Sequence, residues 1–552
     1  MLNPLSWFGP LLQIISTIED PTAPTVTLDN VVVTGKTLDN VDSFLGIPFA
    51  NAPRFGLPEP ITYTEDIDAT KYASSCVQHN LTVTATAAML EFMENKDITL
   101  PVPEDQDESC LSINVIRPST ATETSNLPVV VWFYGGGFLI GDSETWDEMG
   151  NALVRKSVTA QEDTIYVSFN YRLSAYGFLG GDEVQAAGVG NLGLRDQREA
   201  LKWVQQYISA FGGNPNKVIL WGQSAGAISA SLQMLAYNGS HENLFHGVFL
   251  QSGAPLPLGN ISRGQDAFES LAAAVGCTGS AKLECMRQVP FAELKAAVDA
   301  TDGVFSESAL LLSWRPSADG SFLLGNPQNL VQEGKVADVH VVAGNMDDEG
   351  TLFSIGKIGS IKTDAQFTEW IKSSWIPDAT DAEKANVTDH QYINDVSKGS
   401  PFGTNTLNQY NSNTQYKRIA AFQGDMVFQA PRRFFVKELA GQTERQSHIW
   451  VYLRRGAKLP IIGSVHGGDV GENVANHNLL TDYVIKFANN LDPNLGTAGV
   501  LAWPKYTQAA PKSYLFPVIV LGFPAPKPKV EDDDHRDIPF SVLSEMGLKY
   551  PI

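Results

Sequence analysis

The residues best suited to do chemistry lie in one short stretch, Gly222-Gln-Ser-Ala-Gly226. An apolar, β-branched run precedes it and a run with helical spacing follows, so the order is strand, sharp turn, helix. The pattern G-x-S-x-G in this context is typical of a turn that lifts a serine hydroxyl above a parallel sheet. The helix N-terminus behind the turn stabilises developing negative charge. Ser224 is therefore predicted to be a nucleophile. The alternative is a turn of small residues without a chemical role.

A second stretch could supply the backbone N–H donors that stabilise the oxyanion formed when such a nucleophile attacks a carbonyl. Three consecutive glycines, Gly135–Gly137, directly follow the apolar run Pro128–Tyr134. Acyl transfer requires backbone N–H groups that point at the tetrahedral oxyanion, and glycines allow the backbone to approach closely. Gly136 and Gly137 are predicted donors, together with Ala225, the residue after the nucleophile. A flexible loop is the alternative interpretation.

These residues must be positioned by alternating strands and helices. The helical patterns are Leu194–Tyr207 and Ser224–Leu235. The predicted strands are Val129–Tyr134, Thr164–Asn170, Val218–Trp221, Gly247–Gln251, Val339–Ala343, Ile449–Leu453 and Val518–Leu521. Alternation of this kind predicts a mainly parallel sheet with helices on both faces, and a ligand at the carboxyl ends of the strands.

An ordered series of further motifs carries a family resemblance. Its members include Phe44-Leu-Gly-Ile-Pro-Phe-Ala50, Glu108-Ser-Cys-Leu-Ser-Ile-Asn114, Asn191-Leu-Gly-Leu-Arg-Asp-Gln197 and Phe211-Gly-Gly-Asn-Pro215. The chain resembles type-B carboxylesterases and lipases, the cholinesterase-like family that includes Candida rugosa-type fungal lipases and sterol esterases. The resemblance implies an α/β-hydrolase fold with a large, mainly parallel central sheet flanked by helices, long insertions and a lid. It also implies hydrolysis of carboxylic esters without a metal or organic cofactor.

The same resemblance assigns the acid and the base. The acid maps to Glu349, in Asp348-Glu-Gly-Thr351, and the base maps to His466, in Gly463-Ser-Val-His-Gly-Gly-Asp469. The chain order of serine, acid and histidine is the one found in α/β-hydrolases. Asp347 and Asp348 stay open as alternative acids. The expected chemistry is two-step acyl transfer through an acyl-enzyme.

Three departures from the family pattern bear on the substrate. Gln223 stands where the family usually has glutamate, which removes a negative charge beside the serine and weakens any cation-binding, cholinesterase-like interpretation. Tyr134 precedes the glycines where many relatives have histidine. The segment 51–58 is shorter than the family's, so the rim of the pocket is expected to differ.

Cysteines and glycosylation sequons indicate the compartment. The four cysteines, Cys76, Cys110, Cys277 and Cys285, form no CxxC motif and by themselves allow three pairings. By resemblance, Cys76 pairs with Cys110 and Cys277 with Cys285. Four N-x-S/T sequons are predicted glycosylation sites, at Asn80, Asn238, Asn260 and Asn386. Together these features predict a secreted protein.

Charge and length narrow the remaining classes. A formal net charge of -22 excludes nucleic acid as a partner, because phosphate backbones would be repelled. The 552 residues contain no repeat or low-complexity linker, so residues 23–552 are predicted to form one domain. Residues 1–22 are predicted to be an atypical leader or N-terminal extension. No later run is long and apolar enough for a membrane span.

The substrate class leaves alternatives open. Residues 84–95 show apolar positions at helical spacing, which predicts either an ordinary amphipathic surface helix or a flap over the active site. A flap would favour a lipase or sterol esterase with transient contact to a lipid interface, and its absence a plain short-chain carboxylesterase. A non-catalytic adhesion protein and a peptidase are the alternatives from other classes. The oligomeric state is not predicted.

Overall fold

A computed structural model describes residues 23–80, 102–306, 309–404, 415–455, 458, 462–470, 479–496, 499–516 and 527–552. The strands within these ranges are β1 (Thr25–Leu28), β2 (Val31–Thr34), β3 (Lys36–Leu38), β4 (Val41–Pro48), β5 (Ala50–Asn51), β6 (Glu59–Pro60), β7 (Ile67–Asp68), β8 (Ser112–Pro118), β9 (Leu127–Phe133), β10 (Ile165–Phe169), β11 (Gly213–Gln223), β12 (Gly247–Gln251), β13 (His340–Met346), β14 (Ile449–Arg454), β15 (Lys512–Leu515) and β16 (Lys529–Asp532).

Eleven of these strands form one sheet, in the order β16-β15-β14-β13-β12-β11-β9-β10-β8-β4-β3. From β15 to β10 the neighbours pair in parallel, whereas both edges are antiparallel. Every residue of β10 and β12 is buried. Burial of this kind is typical of parallel strands that are covered on both faces. The predicted mainly parallel sheet is confirmed.

The described helices are α1 (Glu144–Thr159), α2 (Ser174–Phe178), α3 (Asp182–Ala186), α4 (Leu192–Tyr207), α5 (Ala225–Gln233), α6 (Ala236–Gly239), α7 (Gln265–Ala274), α8 (Lys282–Gln288), α9 (Phe291–Asp299), α10 (Pro327–Gln332), α11 (Asp364–Trp370), α12 (Asp381–Ala385), α13 (Tyr416–Gly424), α14 (Ala430–Gly441), α15 (Leu479–Asn490) and α16 (Asp537–Lys549). Three 3-10 turns and three π-helical turns accompany them. They are Ile208–Phe211, Ile261–Gly264, Phe353–Lys357, Ile371–Trp375, Asn386–Gln391 and Asp425–Gln429.

Two groups of helices flank the centre of the sheet. Helices α1 and α15 contact each other, with α1 on β10 and α15 on β9 and β11. Helices α4 and α5 also contact each other, and α5 packs on β11 and β12. The two 16-residue helices, α1 and α4, each bury one side. In α4 the buried residues include Leu194, Leu201 and Val204. The sheet therefore lies between helical layers, as the alternation of patterns predicts.

Most predicted elements appear with shifted ends. Gly247–Gln251 is a strand with the predicted bounds, and Val218–Trp221 is the inner part of the longer β11. The helix predicted over Ser224–Leu235 is α5, which begins one residue later because Ser224 forms the turn. The strand predicted over Val518–Leu521 lies outside the described residues.

Strands β4 and β8 are absent from the prediction, and buried polar residues explain why. Within β8, Asn114 and Arg117 interrupt the apolar run although both are buried. Arg117 pairs with Asp42 of β4 at 3.3 Å, and Asn114 donates to Ser168 of β10 at 3.1 Å. Paired polar groups can be buried at little cost, so a search for continuous apolar runs misses such strands.

All four cysteines are oxidised. Disulfide bonds join Cys76 to Cys110 and Cys277 to Cys285. Residues 84–95, predicted to form a flap or a surface helix, lie between Cys76 and Cys110 in the sequence and are outside the described residues. Within the described ranges, no helix has both the length and the apolar character needed to cross a bilayer.

Candidate active site

The sharp turn between β11 and α5 holds Ser224 in an unusual backbone conformation. Its φ is 57° and its ψ is -128°, a region that residues other than glycine rarely occupy. The Ser224 N–H donates to the carbonyl of Gln251 on the adjacent strand β12 at 2.9 Å, and its carbonyl accepts from Ile228 within α5. The turn is thus fastened to both elements, and this fixes the serine at the carboxyl end of the sheet.

Both glycines of the motif are required by close packing. A Cβ atom at Gly222 would lie 2.6 Å from the backbone of Gly226, and one at Gly226 would lie 1.9 Å from the carbonyl oxygen of Phe133. No side chain fits at these distances. The strand and the helix can therefore approach each other only because both positions lack a side chain.

Three side chains from distant parts of the chain form one line of hydrogen bonds. Nε2 of His466 lies 2.8 Å from Oγ of Ser224, and its Nδ1 lies 2.5 Å from Oε2 of Glu349. With Nδ1 protonated, the imidazole donates to Glu349, and Nε2 is free to accept the proton of the serine hydroxyl. Ser224 and Glu349 are buried. This is the geometry that a serine, base and acid need.

The second oxygen of Glu349 is held by the end of β13. Oε1 accepts from the backbone N–H of Met346 at 2.8 Å and from Nδ2 of Asn345 at 3.1 Å. Oδ1 of Asn345 accepts in turn from Nε of Arg432 at 3.0 Å. Because both carboxylate oxygens have partners, Glu349 is fixed in one orientation.

The two neighbouring aspartates have other partners. Asp348 holds the loop that carries the histidine, because its Oδ2 accepts from the N–H of Ser464 at 2.7 Å and its Oδ1 accepts from the hydroxyl of Ser400 at 2.9 Å. Asp347 pairs with Lys458 at 2.6 Å. Glu349 is therefore the member of this acidic run that contacts His466.

Two aromatic rings pack against the imidazole of His466. The ring centroid of Phe353 lies 5.1 Å from that of His466, and the centroid of Phe428 lies 4.4 Å away. Phe428 belongs to the π-helical turn Asp425–Gln429, inserted between α13 and α14. Such turns occur frequently at functional sites, because they displace one residue from the regular helix surface. The sequence offers no local signal for either contact.

The predicted oxyanion donors lie beside the serine. Gly136 and Gly137 have φ values of 120° and 65°, which favour glycine, and a Cβ atom at Gly136 would lie 2.0 Å from the carbonyl oxygen of Ile140. Ala225 is the first residue of α5, so its N–H has no acceptor within that helix. All three line the same cavity as Ser224. A substrate carbonyl in that cavity can therefore meet backbone donors from two directions.

Gln223 contacts the base directly, which the sequence did not predict. Its Nε2 lies 3.2 Å from Nε2 of His466, so it approaches the same nitrogen as the hydroxyl of Ser224. An amide N–H can donate to the neutral imidazole and carries no charge. Glutamine at this position therefore affects the hydrogen bonding of the histidine as well as the local charge.

Ser224 opens into a cavity of about 230 Å³ whose wall is mostly apolar. Its lining includes Phe138, Val304, Leu310, Leu312, Leu352, Phe353 and Phe428. A cavity with an apolar wall and a few converging polar groups is typical of small-molecule sites. Of the described residues that line it, Arg315 is the one that is an arginine, lysine, aspartate or glutamate.

The sequons lie away from this cavity. Asn80, Asn238 and Asn260 are exposed and Asn386 is half-buried. The side chain of Asn260 accepts from the N–H of Ser262 at 2.9 Å. Glycosylation at these four positions stays a prediction.

The sequence is similar to known carboxylesterases and lipases. The family model described as the carboxylesterase family matches residues 22–516. Lipase 4 of Diutina rugosa is 37% identical over 514 residues, covering 88% of this chain and 90% of the relative. Secreted lipase 1 of Botryotinia fuckeliana is 36% identical over 517 residues, covering 89% of each chain. Secreted triacylglycerol lipase LIP1 of Gibberella zeae is 32% identical over 507 residues, covering 88% of this chain and 85% of the relative.

Solved structures share the fold. Aspergillus niger EstA superposes with a TM-score of 0.77 at 24% identity, covering 96% of this chain and 99% of that chain. A structure titled PNB esterase gives a TM-score of 0.69 at 24% identity, covering 95% and 100%. The α/β-hydrolase fold predicted from the sequence is thereby confirmed. With the family model matched over most of its length, the chain belongs to the carboxylesterase family, a family of carboxylic ester hydrolases.

Proposed function

We propose that this protein hydrolyses carboxylic esters with apolar acyl groups, with Ser224 as nucleophile, His466 as base and Glu349 as the acid that orients the histidine. The observation that carries the proposal is the line of hydrogen bonds from Oγ of Ser224 through His466 to Glu349, at the wall of an apolar cavity. Family membership supports ester hydrolysis as the class of reaction.

Acylation begins with proton transfer to the base. Nε2 of His466 takes the hydroxyl proton while Oγ of Ser224 attacks the ester carbonyl carbon. The imidazolium is stabilised by the carboxylate of Glu349. The carbonyl oxygen becomes an oxyanion, which the N–H groups of Gly136, Gly137 and Ala225 stabilise. Collapse of this intermediate breaks the bond to the alcohol oxygen, which leaves with the proton from His466.

Deacylation repeats the sequence with water. His466 removes a proton from a water molecule, and the resulting hydroxide attacks the acyl carbon bound to Ser224. The second tetrahedral intermediate uses the same backbone donors. When it collapses, Oγ of Ser224 regains its proton from His466 and the carboxylic acid is released. No metal or organic cofactor takes part in these steps.

Substrate class follows from the wall of the cavity. Apolar side chains from several parts of the chain would bury an aliphatic or aromatic acyl group. The names of the relatives describe lipases, which fits an apolar ester. Residues 84–95 lie outside the described residues, so a flap and interfacial activation stay predictions. Comparing the rate on an emulsified ester with the rate on the same ester below its solubility limit tests them.

We also propose that the protein is secreted. Two disulfide bonds and four sequons support this location, because both features belong to the secretory pathway. Two relatives are named as secreted lipases. Digestion of material secreted by a eukaryotic host with an N-glycosidase should reduce its mass; an unchanged mass would contradict use of the sequons.

The decisive experiment labels the nucleophile. The Ser224→Ala variant should lose hydrolysis of p-nitrophenyl butyrate by several orders of magnitude and keep the melting temperature of the wild type. Ser231→Ala is the matched control, because that hydroxyl lies in the same helix and bonds to the carbonyl of Ile228 at 2.7 Å. A fluorophosphonate probe should modify the wild type at Ser224 and leave Ser224→Ala unmodified.

The same assay separates the other classes. A non-catalytic adhesion protein would show no turnover and no labelling. A peptidase would cleave a p-nitroanilide peptide at least as fast as the ester. Full ester activity in Ser224→Ala would contradict the proposed nucleophile.

A further inference from the structure

Arg315 is the anomaly in the cavity wall. Most residues that line the cavity with Ser224 are apolar side chains or glycines, yet Arg315 is among them. The residue lies between the buried Trp314 and Pro316 and is itself only partly exposed. An arginine at the wall of an apolar cavity needs a physical reason, because burial of a cation is costly.

No carboxylate within the described residues pairs with this guanidinium. Its one hydrogen bond in those ranges runs from Nη1 to the carbonyl oxygen of Leu312. Burial, and then repulsion from Arg263, lowers the pKa of Arg315 to about 10. Arg263 has its own partner, Asp378, at 3.2 Å. Arg315 therefore stays charged at neutral pH, and no described residue offers a side-chain carboxylate that pairs with it.

Several buried arginines in the described ranges are paired with carboxylates. Arg172 pairs with Asp196 at 2.6 Å and Arg432 with Asp533 at 2.5 Å, in each case inside the protein. Breaking such a pair normally costs several kcal/mol, about 3–5 by the usual estimate. Arg315 differs from these arginines, because it lines the cavity and has no carboxylate partner among the described residues. Its N–H donors without an acceptor in those ranges could bind an anion in the cavity.

We propose that Arg315 binds a carboxylate carried by the substrate, so that the enzyme favours esters with a second, free carboxylate over neutral esters of the same length. The proposal rests on the proposed ester hydrolysis and adds a specificity residue to it. A guanidinium and a carboxylate form two parallel N–H···O bonds, which fix the direction of the ligand as well as its charge. Monoesters of dicarboxylic acids are the substrate class that fits.

The charge of the whole protein makes this local site necessary. With a net charge of -22, the protein repels anions over most of its surface. Preference for an anionic ester must therefore come from a cation inside the cavity. Because the cavity is partly shielded from water, the interaction should be screened by salt less than a surface contact.

A matched pair of esters isolates the effect. Mono-p-nitrophenyl glutarate differs from p-nitrophenyl valerate only by a carboxylate in place of the terminal methyl group. In the wild type, kcat/KM for the glutarate should equal or exceed that for the valerate. Arg315→Met, which keeps an unbranched apolar stem and removes the guanidinium, should lower kcat/KM for the glutarate about 10- to 100-fold, the value of a hydrogen bond to a charged group. The same variant should change kcat/KM for the valerate much less, because the valerate has no carboxylate to bind the guanidinium.

Two further variants separate recognition by the Arg315 guanidinium from a general effect of positive charge. Arg315→Lys keeps the positive charge but loses the two parallel N–H donors of the guanidinium. It should therefore retain part of the preference for the glutarate over the valerate. Arg263→Met removes the neighbouring cation that does not line the cavity, and its ratio between the two esters should match the wild type. A second pair, phenyl valerate and p-carboxyphenyl valerate, shows whether the recognised carboxylate lies on the acyl or the alcohol side.

The outcomes separate the two proposals. If the wild type hydrolyses neither ester, the proposed function fails. If both esters are hydrolysed and Arg315→Met leaves their ratio unchanged, ester hydrolysis stands and the recognition of a carboxylate is overturned. A loss of equal size on both esters, with a lower melting temperature, assigns Arg315 a structural role and also overturns the proposal.

Discussion

The active-site cavity joins two regions that are built in opposite ways. At its polar end, Ser224, His466 and Glu349 are held by directed hydrogen bonds from strand ends and from the histidine loop. At its wall, side chains such as Val304 and Leu312 are held by packing alone. Hydrogen bonds fix angles and distances, whereas apolar packing accepts several shapes of similar volume. The polar end is thus suited to one reaction, and the wall can vary with the substrate.

The two regions also differ in how they are supported. Behind Glu349, Asn345 connects to Arg432, which pairs with the buried Asp533. This second layer keeps the acid in place. The wall draws instead on loop residues such as Val304, Leu310 and Leu312, on residues 352–353 and on the π-helical turn Asp425–Gln429, which lie outside the strands. Changes at the polar end should therefore reduce rate, and changes in the wall should shift selectivity.

The largest effect is expected for Glu349→Gln. An amide cannot stabilise the imidazolium and can present the wrong group to Nδ1 of His466, so kcat should fall about 10⁴-fold, as in other serine triads. Asp347→Asn, which alters a carboxylate paired with Lys458, is the matched control and should keep most activity. The test compares kcat for p-nitrophenyl butyrate. A larger loss in the Asp347 variant would mean that the acid is misassigned.

The next effect concerns the residues that support Glu349, namely Asn345, Arg432 and Asp533. Substitution there should lower the free energy of unfolding. Asp533→Asn leaves Arg432 and Arg433 buried without their carboxylate, which should cost about 3–5 kcal/mol of unfolding free energy. Denaturant unfolding at pH 7 measures this cost. Asp537→Asn is a milder control, because that carboxylate is exposed. Equal stability of both variants would contradict the second layer.

The pH dependence of that loss has a definite sign. Burial alone would raise the pKa of Asp533, but Arg432 and Arg433 outweigh it and hold the pKa well below its ordinary range. The stability from this carboxylate is therefore complete above the pKa of the unfolded state, about 3.9, and is lost as the pH falls towards the folded pKa. The difference between wild type and Asp533→Asn should shrink once the pH drops below about 4.

An intermediate effect is expected where the two regions meet. Gly137 has a φ of 65°, and a Cβ atom there would lie 2.8 Å from Cγ1 of Val304, in the wall. Gly137→Val should displace an oxyanion donor and lower kcat about 10²- to 10³-fold. Gly334→Val, at another positive φ but with open space around it, controls for backbone strain. An unchanged kcat in Gly137→Val would remove this residue from the oxyanion site.

Substitution in the wall alone should change selectivity. Leu312→Ala enlarges the cavity and should shift the ratio of kcat/KM between bulky and short acyl esters about 10-fold, within the usual range for one hydrophobic contact. Leu271→Ala, which removes a buried leucine of α7 that does not line the cavity, should lower stability without this shift. Equal loss of kcat/KM on all acyl lengths in Leu312→Ala would mean that the wall is not an acyl site.

The smallest effect concerns Gln223. Gln223→Glu places a carboxylate next to the imidazole of His466, and a nearby negative charge favours the imidazolium. Since only the neutral imidazole can accept the proton of Ser224, the acid limb of the pH profile of kcat/KM should move to higher pH. The rate at the optimum should change little. A profile that does not move would show that Gln223 affects geometry and not charge.

Local patterns were sufficient for the parts of this protein that depend on neighbours in the chain. The turn at Ser224 is dictated by its two glycines, and the parallel strands by continuous apolar runs that match burial on both faces. The acid and base were assigned by resemblance to the family, in short motifs around Glu349 and His466, and the structure brings both to Ser224. Strands β4 and β8 escaped prediction because their buried polar residues are paired with distant segments, as Arg117 is with Asp42 and Asn114 with Ser168.

Tertiary structure alone decided the contacts between segments that are distant in sequence. It separated Glu349 from Asp348, one residue apart, by giving one carboxylate the histidine and the other the loop that carries it. It also placed Phe428 on the imidazole and Arg315 at the cavity wall without a carboxylate partner in the described ranges. Residue type and spacing describe what a side chain can do. Its partners depend on which distant segments the fold packs against it, because burial decides whether a charge is paired, solvated or left for a ligand.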